Sequence, residues 1–230
     1  MCGRYTIRTS LQKIIEAMSP VLVRLDPQLF VPRYNVAPTQ DVPVVRIAPE
    51  GRELTLLHWG LIPPWAKDRA VGNRMINARS ETAAQKPAFR DAFKKRRCLL
   101  IADGFYEWKK TPDGKQPYFI HLREDSPFAL AGVWERWSND EQRIESCTLF
   151  TTDPNELMRP IHDRMPAIIG RDDYQRWLDP ETSPEDAGKL LKPFDAQKME
   201  ARPVSRRVNS PKTDDSPCIE GITEDEGQLF

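Results

Sequence analysis

Apolar residues recur at Leu11, Ile14, Ile15 and Met18, the i, i+3, i+4, i+7 spacing of one helix face, directly behind Thr9-Ser10. A serine there can accept the free N–H groups of a first turn, so the pattern predicts a capped amphipathic helix. The period then shortens. Residues 42–48 and 53–59 are strand-like runs joined by Pro49-Glu50-Gly51, which predicts a hairpin. Residues 80–93 read as one or two short helices with Pro87 in a first turn. Short strands follow at 98–102, 105–110, 118–122, 128–133 and 147–152, separated by turn signals such as Thr111-Pro112-Asp113-Gly114. Helical patterns return at 172–178 and 183–191, and 201–204 is a last short strand. From residue 210 onward Ser, Pro, Asp and Glu dominate, which predicts a loose tail over 210–230.

No internal repeat is present, and strands do not alternate with helices in the parallel β-α-β manner. Antiparallel strands with helices at their flanks imply an α+β domain, its sheets curled toward a barrel. With no linker in view, residues 1–209 form one domain. A chain of 230 residues folding as one unit buries roughly 70% of its unfolded surface, enough for a real core.

Charge narrows the picture little. Thirty-four basic residues balance 34 acidic ones, so no polyanionic partner is implied by net charge. Cys2, Cys98, Cys147 and Cys218 are scattered with no C-x-x-C pair, which argues against a zinc site or disulfide framework and for a reducing compartment. No metal or cofactor is expected. No stretch is long and apolar enough to span a membrane, so a soluble cytoplasmic protein is expected, monomeric because no helical dimer seam shows.

Chemistry enters at the first residues, Met1-Cys2-Gly3-Arg4. A residue as small as cysteine at position 2 favours removal of the initiator methionine, which would leave Cys2 with a free α-amine beside its thiol. Their ordinary pKa values, about 7.7–8.0 and about 8.5, leave both partly nucleophilic near neutrality. Such a 1,2-aminothiol can attack an acyl carbon with its own amine as base. It can also condense with an aldehyde, the amine giving an imine and the thiol closing a thiazolidine. An ordinary second-position cysteine is the plain alternative.

Other candidates are spread along the chain. His58 and His121 lie in strand patterns and read as structural, whereas His162 sits in the proline-framed loop Pro160-Ile161-His162-Asp163-Arg164-Met165-Pro166, suited to a fixed acid or base. Glu107 lies among Phe105, Tyr106 and Trp108, where partial desolvation would raise its pKa, unless it simply faces outward on an alternating strand. Asn77-Ala78-Arg79 could hold a carbonyl or phosphate oxygen, or make a turn. Trp65, at the tip of Trp59-Gly60-Leu61-Ile62-Pro63-Pro64-Trp65, could stack on a nucleobase or pack inward.

These motifs occur in order with Cys2-Gly3-Arg4-Tyr5, Tyr34-Asn35-Val36-Ala37-Pro38, Val204-Ser205 and Val208-Asn209, and together they resemble the SRAP (SOS response-associated peptidase) family from Cys2 to about Asn209. The resemblance implies an α+β fold with a barrel-like β core and a basic groove leading to the mature N-terminus. It also implies a protein that shields abasic sites in single-stranded DNA by covalent capture, in the cytoplasm and at the nucleoid, possible replication-fork partners included. Carried over by position, Cys2 is the nucleophile, and Asn77, Glu107 and His162 surround the abasic sugar. Arg4, Arg79 and Arg164 hold phosphates, Trp65 sits against a base, and Asn35, Pro38 and Ser205 contact DNA. Three phosphate contacts predict a log K against log salt slope near −2, from about −0.7 per contact. Ala66 follows Trp65 where some relatives carry a second aromatic, which leaves the stacking role of this loop open.

Two other readings use the same residues: a thiol peptidase or autopeptidase with Cys2 as nucleophile, and a non-covalent single-stranded DNA-binding module. A glutamine amidotransferase, which also begins Cys-Gly, needs an Asn-Gly element that this chain lacks.

Overall fold

The computed structural model describes residues 2–19, 22–28 and 30–222. Met1, whose removal the sequence predicts, and residues 223–230 of the expected tail lie outside the described residues. In chain order the strands are β1 (Tyr5–Ile7), β2 (Leu22–Val23), β3 (Arg33–Val36), β4 (Asp41–Ala48), β5 (Gly51–Trp59), β6 (Asn77–Arg79) and β7 (Arg97–Ala102). They continue as β8 (Gly104–Thr111), β9 (Gly114–Leu122), β10 (Phe128–Ser138), β11 (Arg143–Thr152), β12 (Met165–Pro166), β13 (Ile168–Ile169) and β14 (Met199–Pro203). The helices are short: α1 (Leu11–Met18), α2 (Ser80–Ala83), α3 (Arg90–Lys95), α4 (Tyr174–Leu178) and α5 (Pro184–Gly188).

Two hairpins turn on the same sequence device. β4 and β5 pair from Ala48↔Gly51 outward around Pro49-Glu50, and β8 and β9 pair from Thr111↔Gly114 around Pro112-Asp113. Proline presets the first central φ of each turn, and Gly51 and Gly114 both take φ 122°, where a side chain would be strained.

β4, β5, β11, β10 and β7 close into a barrel. Its joints include Val45↔Leu99, Leu130↔Leu100 and Trp134↔Cys147, and the parallel pair Cys147↔Trp59 completes the ring. The strands approach tightly at Gly132, where an added Cβ would lie 2.3 Å from Leu100 Cδ1 and 2.7 Å from Thr148 O. A second sheet, ordered β14-β9-β8-β1-β3, is antiparallel throughout. Asp103 joins it to the barrel strand β7. Its buried carboxylate accepts from the Arg8 and Thr9 N–H groups (2.6 and 2.7 Å) and from both the Thr6 and Thr9 hydroxyls.

The single α+β domain with its barrel core matches the sequence expectation, but the barrel sheet is mixed. β2 runs parallel to β5, and β5 and β6 run parallel to β11, because residues 60–76 loop back and lay β6 beside β11 in the same direction. The helical run at 80–93 splits at Pro87 into α2 and α3, and the one at 183–191 stops at Gly188. The largest correction concerns residues 210–222. Expected as tail, they fold back: Cys218 is buried in a small cluster with Tyr106, Phe119, Val204 and Val208, and Gly221 bridges to Val204.

Candidate active site

On β8 successive side chains face opposite ways, so Phe105 and Glu107 share one face and Tyr106 and Trp108 the other. Phe105 and Tyr106 fill two separate cores, which leaves Glu107 only 1% exposed. The outward-facing alternative for this carboxylate is excluded. Burial raises its pKa from 4.5 to about 7, with the Asp163 charge adding in the same direction.

Asn77 is placed by β6, whose register on β11 sets it opposite Leu149. Its Nδ2 donates to the carbonyl of Cys2 at 2.8 Å. Its Oδ1 is buried with no hydrogen-bond partner among the described residues, which costs about 1–3 kcal/mol for a group that nothing satisfies. Cys2 itself is fully buried, its Sγ 3.9 Å from the Arg4 carbonyl. Burial, and then the nearby Glu107 charge, push the thiol far above its ordinary pKa.

His162 closes the cluster. Its Nε2 lies 3.9 Å from Glu107 Oε2, and its Nδ1 is 2.9 Å from Asp163 Oδ1 and 3.0 Å from the Arg164 backbone N–H. Burial lowers its pKa, so the ring is neutral at pH 7. The loop carrying it is fixed by the His162 N–H to Met158 O bond and by β12, where Met165 pairs with Thr152. Four residues far apart in sequence, Cys2, Asn77, Glu107 and His162, therefore meet at one place.

The expected DNA contacts divide. Trp65 is 62% exposed on a loop held by Trp137 Nε1 donating to Ala66 O, so the packed-inward alternative is excluded. Arg79 is exposed, its backbone paired with Thr151 of β11, and its guanidinium makes no hydrogen bond or ion pair among the described residues. Pro38 is half-buried in the turn after β3, and the Ser205 hydroxyl accepts the Arg207 N–H at 3.3 Å. The other three are engaged within the protein. Arg164 pairs with both Glu81 oxygens (2.8 and 3.0 Å), with Asp153, and with the Thr151 carbonyl. Arg4 donates to Asn35 Oδ1 and the Val208 carbonyl (both 2.8 Å) and to the Asn209 carbonyl. Asn35 is fully buried, its side chain bonded to Arg4 and to the carbonyls of Val208, Ser210 and Thr213. Glu81 and Asp153, the partners that decide the outcome for Arg164, carry no local sequence signal.

Among the described residues no group of His, Cys, Asp and Glu could hold a metal ion, and no helix is long and apolar enough to cross a membrane.

A sequence model of the SOS response associated peptidase (SRAP) family matches residues 1–211. The chain is 44% identical over 223 residues to abasic site processing protein YoqW of Bacillus subtilis, covering 96% of this chain and 99% of that one. It is 32% identical over 230 residues to abasic site processing protein HMCES of Xenopus tropicalis, covering 86% of this chain and 68% of that protein. Among solved structures, a crystal structure of a protein from Bacteroides thetaiotaomicron aligns with TM-score 0.87 at 27% identity, over 96% of this chain and 100% of the other.

Proposed function

We propose, from the premise that this chain belongs to the SRAP family, that it processes abasic sites in single-stranded DNA by covalent capture on Cys2. The observation that carries this reading is the meeting of Cys2 with Asn77, Glu107 and His162, a carboxyl tuned to about pH 7 included.

An abasic deoxyribose equilibrates between a closed hemiacetal and an open aldehyde. Neutral His162 takes and returns the protons of ring opening. With Met1 removed, the Cys2 amine attacks C1′ and gives a carbinolamine, and Glu107 protonates the departing hydroxyl so that water leaves and an imine forms. Because burial keeps the thiol protonated, the amine reacts first. The thiol then adds to the imine carbon, its proton passing through Glu107 to the nitrogen, and a thiazolidine closes. Aldehyde plus aminothiol thus yields thiazolidine plus one water. Ring closure matters because a bare imine acidifies C2′ and invites β-elimination, which would cut the strand. Asn77 holds the Cys2 carbonyl with its amide nitrogen and offers its free Oδ1 to a sugar hydroxyl. Arg79 meets a backbone phosphate, and Trp65 lies against a base.

Cys2→Ala tests this directly. Binding to intact single-stranded DNA should survive, while heat-stable crosslinking to an abasic oligonucleotide, without borohydride, should vanish. An adduct that persists in Cys2→Ala would overturn the assignment.

A further inference from the structure

Arg4 stands two residues from the proposed nucleophile, and its anchorage leads to a part of the chain beyond the family match. Its guanidinium is held by Asn35 Oδ1 and by the carbonyls of Val208 and Asn209. Its backbone carbonyl accepts the Tyr106 N–H at 2.9 Å and lies 3.9 Å from the Cys2 thiol. Asn35 is held in turn: its Nδ2 lies 3.1, 2.9 and 2.6 Å from the carbonyls of Val208, Ser210 and Thr213. One side chain organises that whole turn. Asp214 Oδ1 accepts the backbone N–H groups of Tyr34 and Asn35, the latter at 2.8 Å, while Oδ2 pairs with Arg33 Nε. Cys218 then seats the segment against Tyr106 and Phe119.

We propose that Asp214 is a positioning residue for Cys2: it fixes β3 and the 208–214 turn as one unit, through which Asn35 and Arg4 hold the N-terminal segment in reach of Glu107 and Asn77. Two features favour positioning over general packing. Asp214 spends both oxygens on one strand, where it is the acceptor for two successive N–H groups. Arg4 reaches from the N-terminal segment into that unit, bonding Asn35 Oδ1 and the carbonyls of Val208 and Asn209. Residues 212–214 of the turn lie beyond residues 1–211, the part that matches the family model, yet inside the described fold.

This inference rests on the capture reaction proposed above, and its test separates the two. Wild type, Asp214→Ala and Asp214→Asn are compared in the full chain, with Met1 removal confirmed by mass. The rate of adduct formation is followed against the concentration of abasic single-stranded oligonucleotide. In Asp214→Ala the saturating rate should fall about tenfold or more, the scale set by sub-ångström misplacement of reacting groups. The half-saturating DNA concentration should change less than twofold, because no DNA contact is lost. Asp214→Asn, which keeps the volume and one carbonyl acceptor, should recover an intermediate rate. Near-UV circular dichroism measures the folded fraction of each. If wild type forms no adduct, the proposed function itself fails. If wild type reacts but the saturating rate is unchanged in Asp214→Ala, or falls only as far as the folded fraction does, Asp214 has no positioning role.

Discussion

Glu107 Oε2 lies 3.9 Å from His162 Nε2, and the carboxyl is buried while the imidazole is half-exposed. Burial moves the two in opposite senses, raising the carboxyl to about 7 and lowering the imidazole below its ordinary value. Such a pair can exchange a proton at little cost, which suits a reaction needing an acid at one step and a base at the next.

That tuning has a price in stability, with a definite sign. The folded-state value of about 7 lies above 4.5, so folded Glu107 keeps a proton that the unfolded chain has released between those values. Its contribution is therefore fully present below about pH 4.5 and lost as pH rises through 7. Glu107→Gln removes the buried charge without changing volume. It should stabilise the protein at pH 8 by about 2–3 kcal/mol and leave it nearly unchanged at pH 4. Urea unfolding at the two pH values measures this; equal effects at both would show that the carboxylate is not desolvation-strained. Capture should slow in the same variant.

Asn77→Ala removes the donor to the Cys2 carbonyl and the free Oδ1 together. Single-turnover capture should fall roughly 10- to 100-fold, as expected when a reacting group loses its orientation. Affinity for intact single-stranded DNA should stay within about twofold, read by fluorescence anisotropy, since the reaction and not binding depends on Asn77.

Arg79 is the one of the three expected phosphate ligands whose guanidinium makes no bond among the described residues, whereas Arg4 and Arg164 are engaged. Arg79→Ala should reduce the slope of log K against log salt by about 0.7. Arg164→Ala should instead loosen the His162 loop and slow capture with a smaller change in that slope. Equal slope changes would mean that Arg164 leaves Glu81 for a phosphate when DNA binds.

The chemistry of this chain is more legible than its architecture. Cys2 at position 2, a carboxylate among aromatics at Glu107 and a proline-framed His162 each carry a local cause, and the structure brings all three together. The β4–β5 hairpin and the turn between β8 and β9 are equally readable, because Pro-Glu-Gly and Pro-Asp-Gly fix their own turns. What stayed hidden is long-range. Nothing near Arg164 foretells Glu81, nothing near Asn35 foretells the carbonyls of residues 208–213, and polarity alone cannot show that residues 210–222 fold back around Asp214. The parallel closure of the barrel was hidden for the same reason, since residues 54–59 read alike beside either neighbour.

Gly104 supplies a test of the fold around the site. An added Cβ would lie 2.2 Å from Phe119 Cε2, so Gly104→Ala must push that ring off Tyr106 and disturb β8. Overpacking of this kind costs about 1–3 kcal/mol. A loss below 0.5 kcal/mol in urea titration, a roughly surface-like effect, would contradict the close packing of β8 on β9.

The central claim is that amine and thiol act on one carbon, and Cys2→Ser separates them most directly, because it keeps the amine and replaces the sulfur. Protein lacking Met1 is incubated with an abasic single-stranded oligonucleotide, without reductant, heated, and weighed intact. Wild type should give a species equal to the sum of the two masses less one water, and Cys2→Ser none unless borohydride is added first. A heat-stable, unreduced adduct from Cys2→Ser in equal yield would contradict the account.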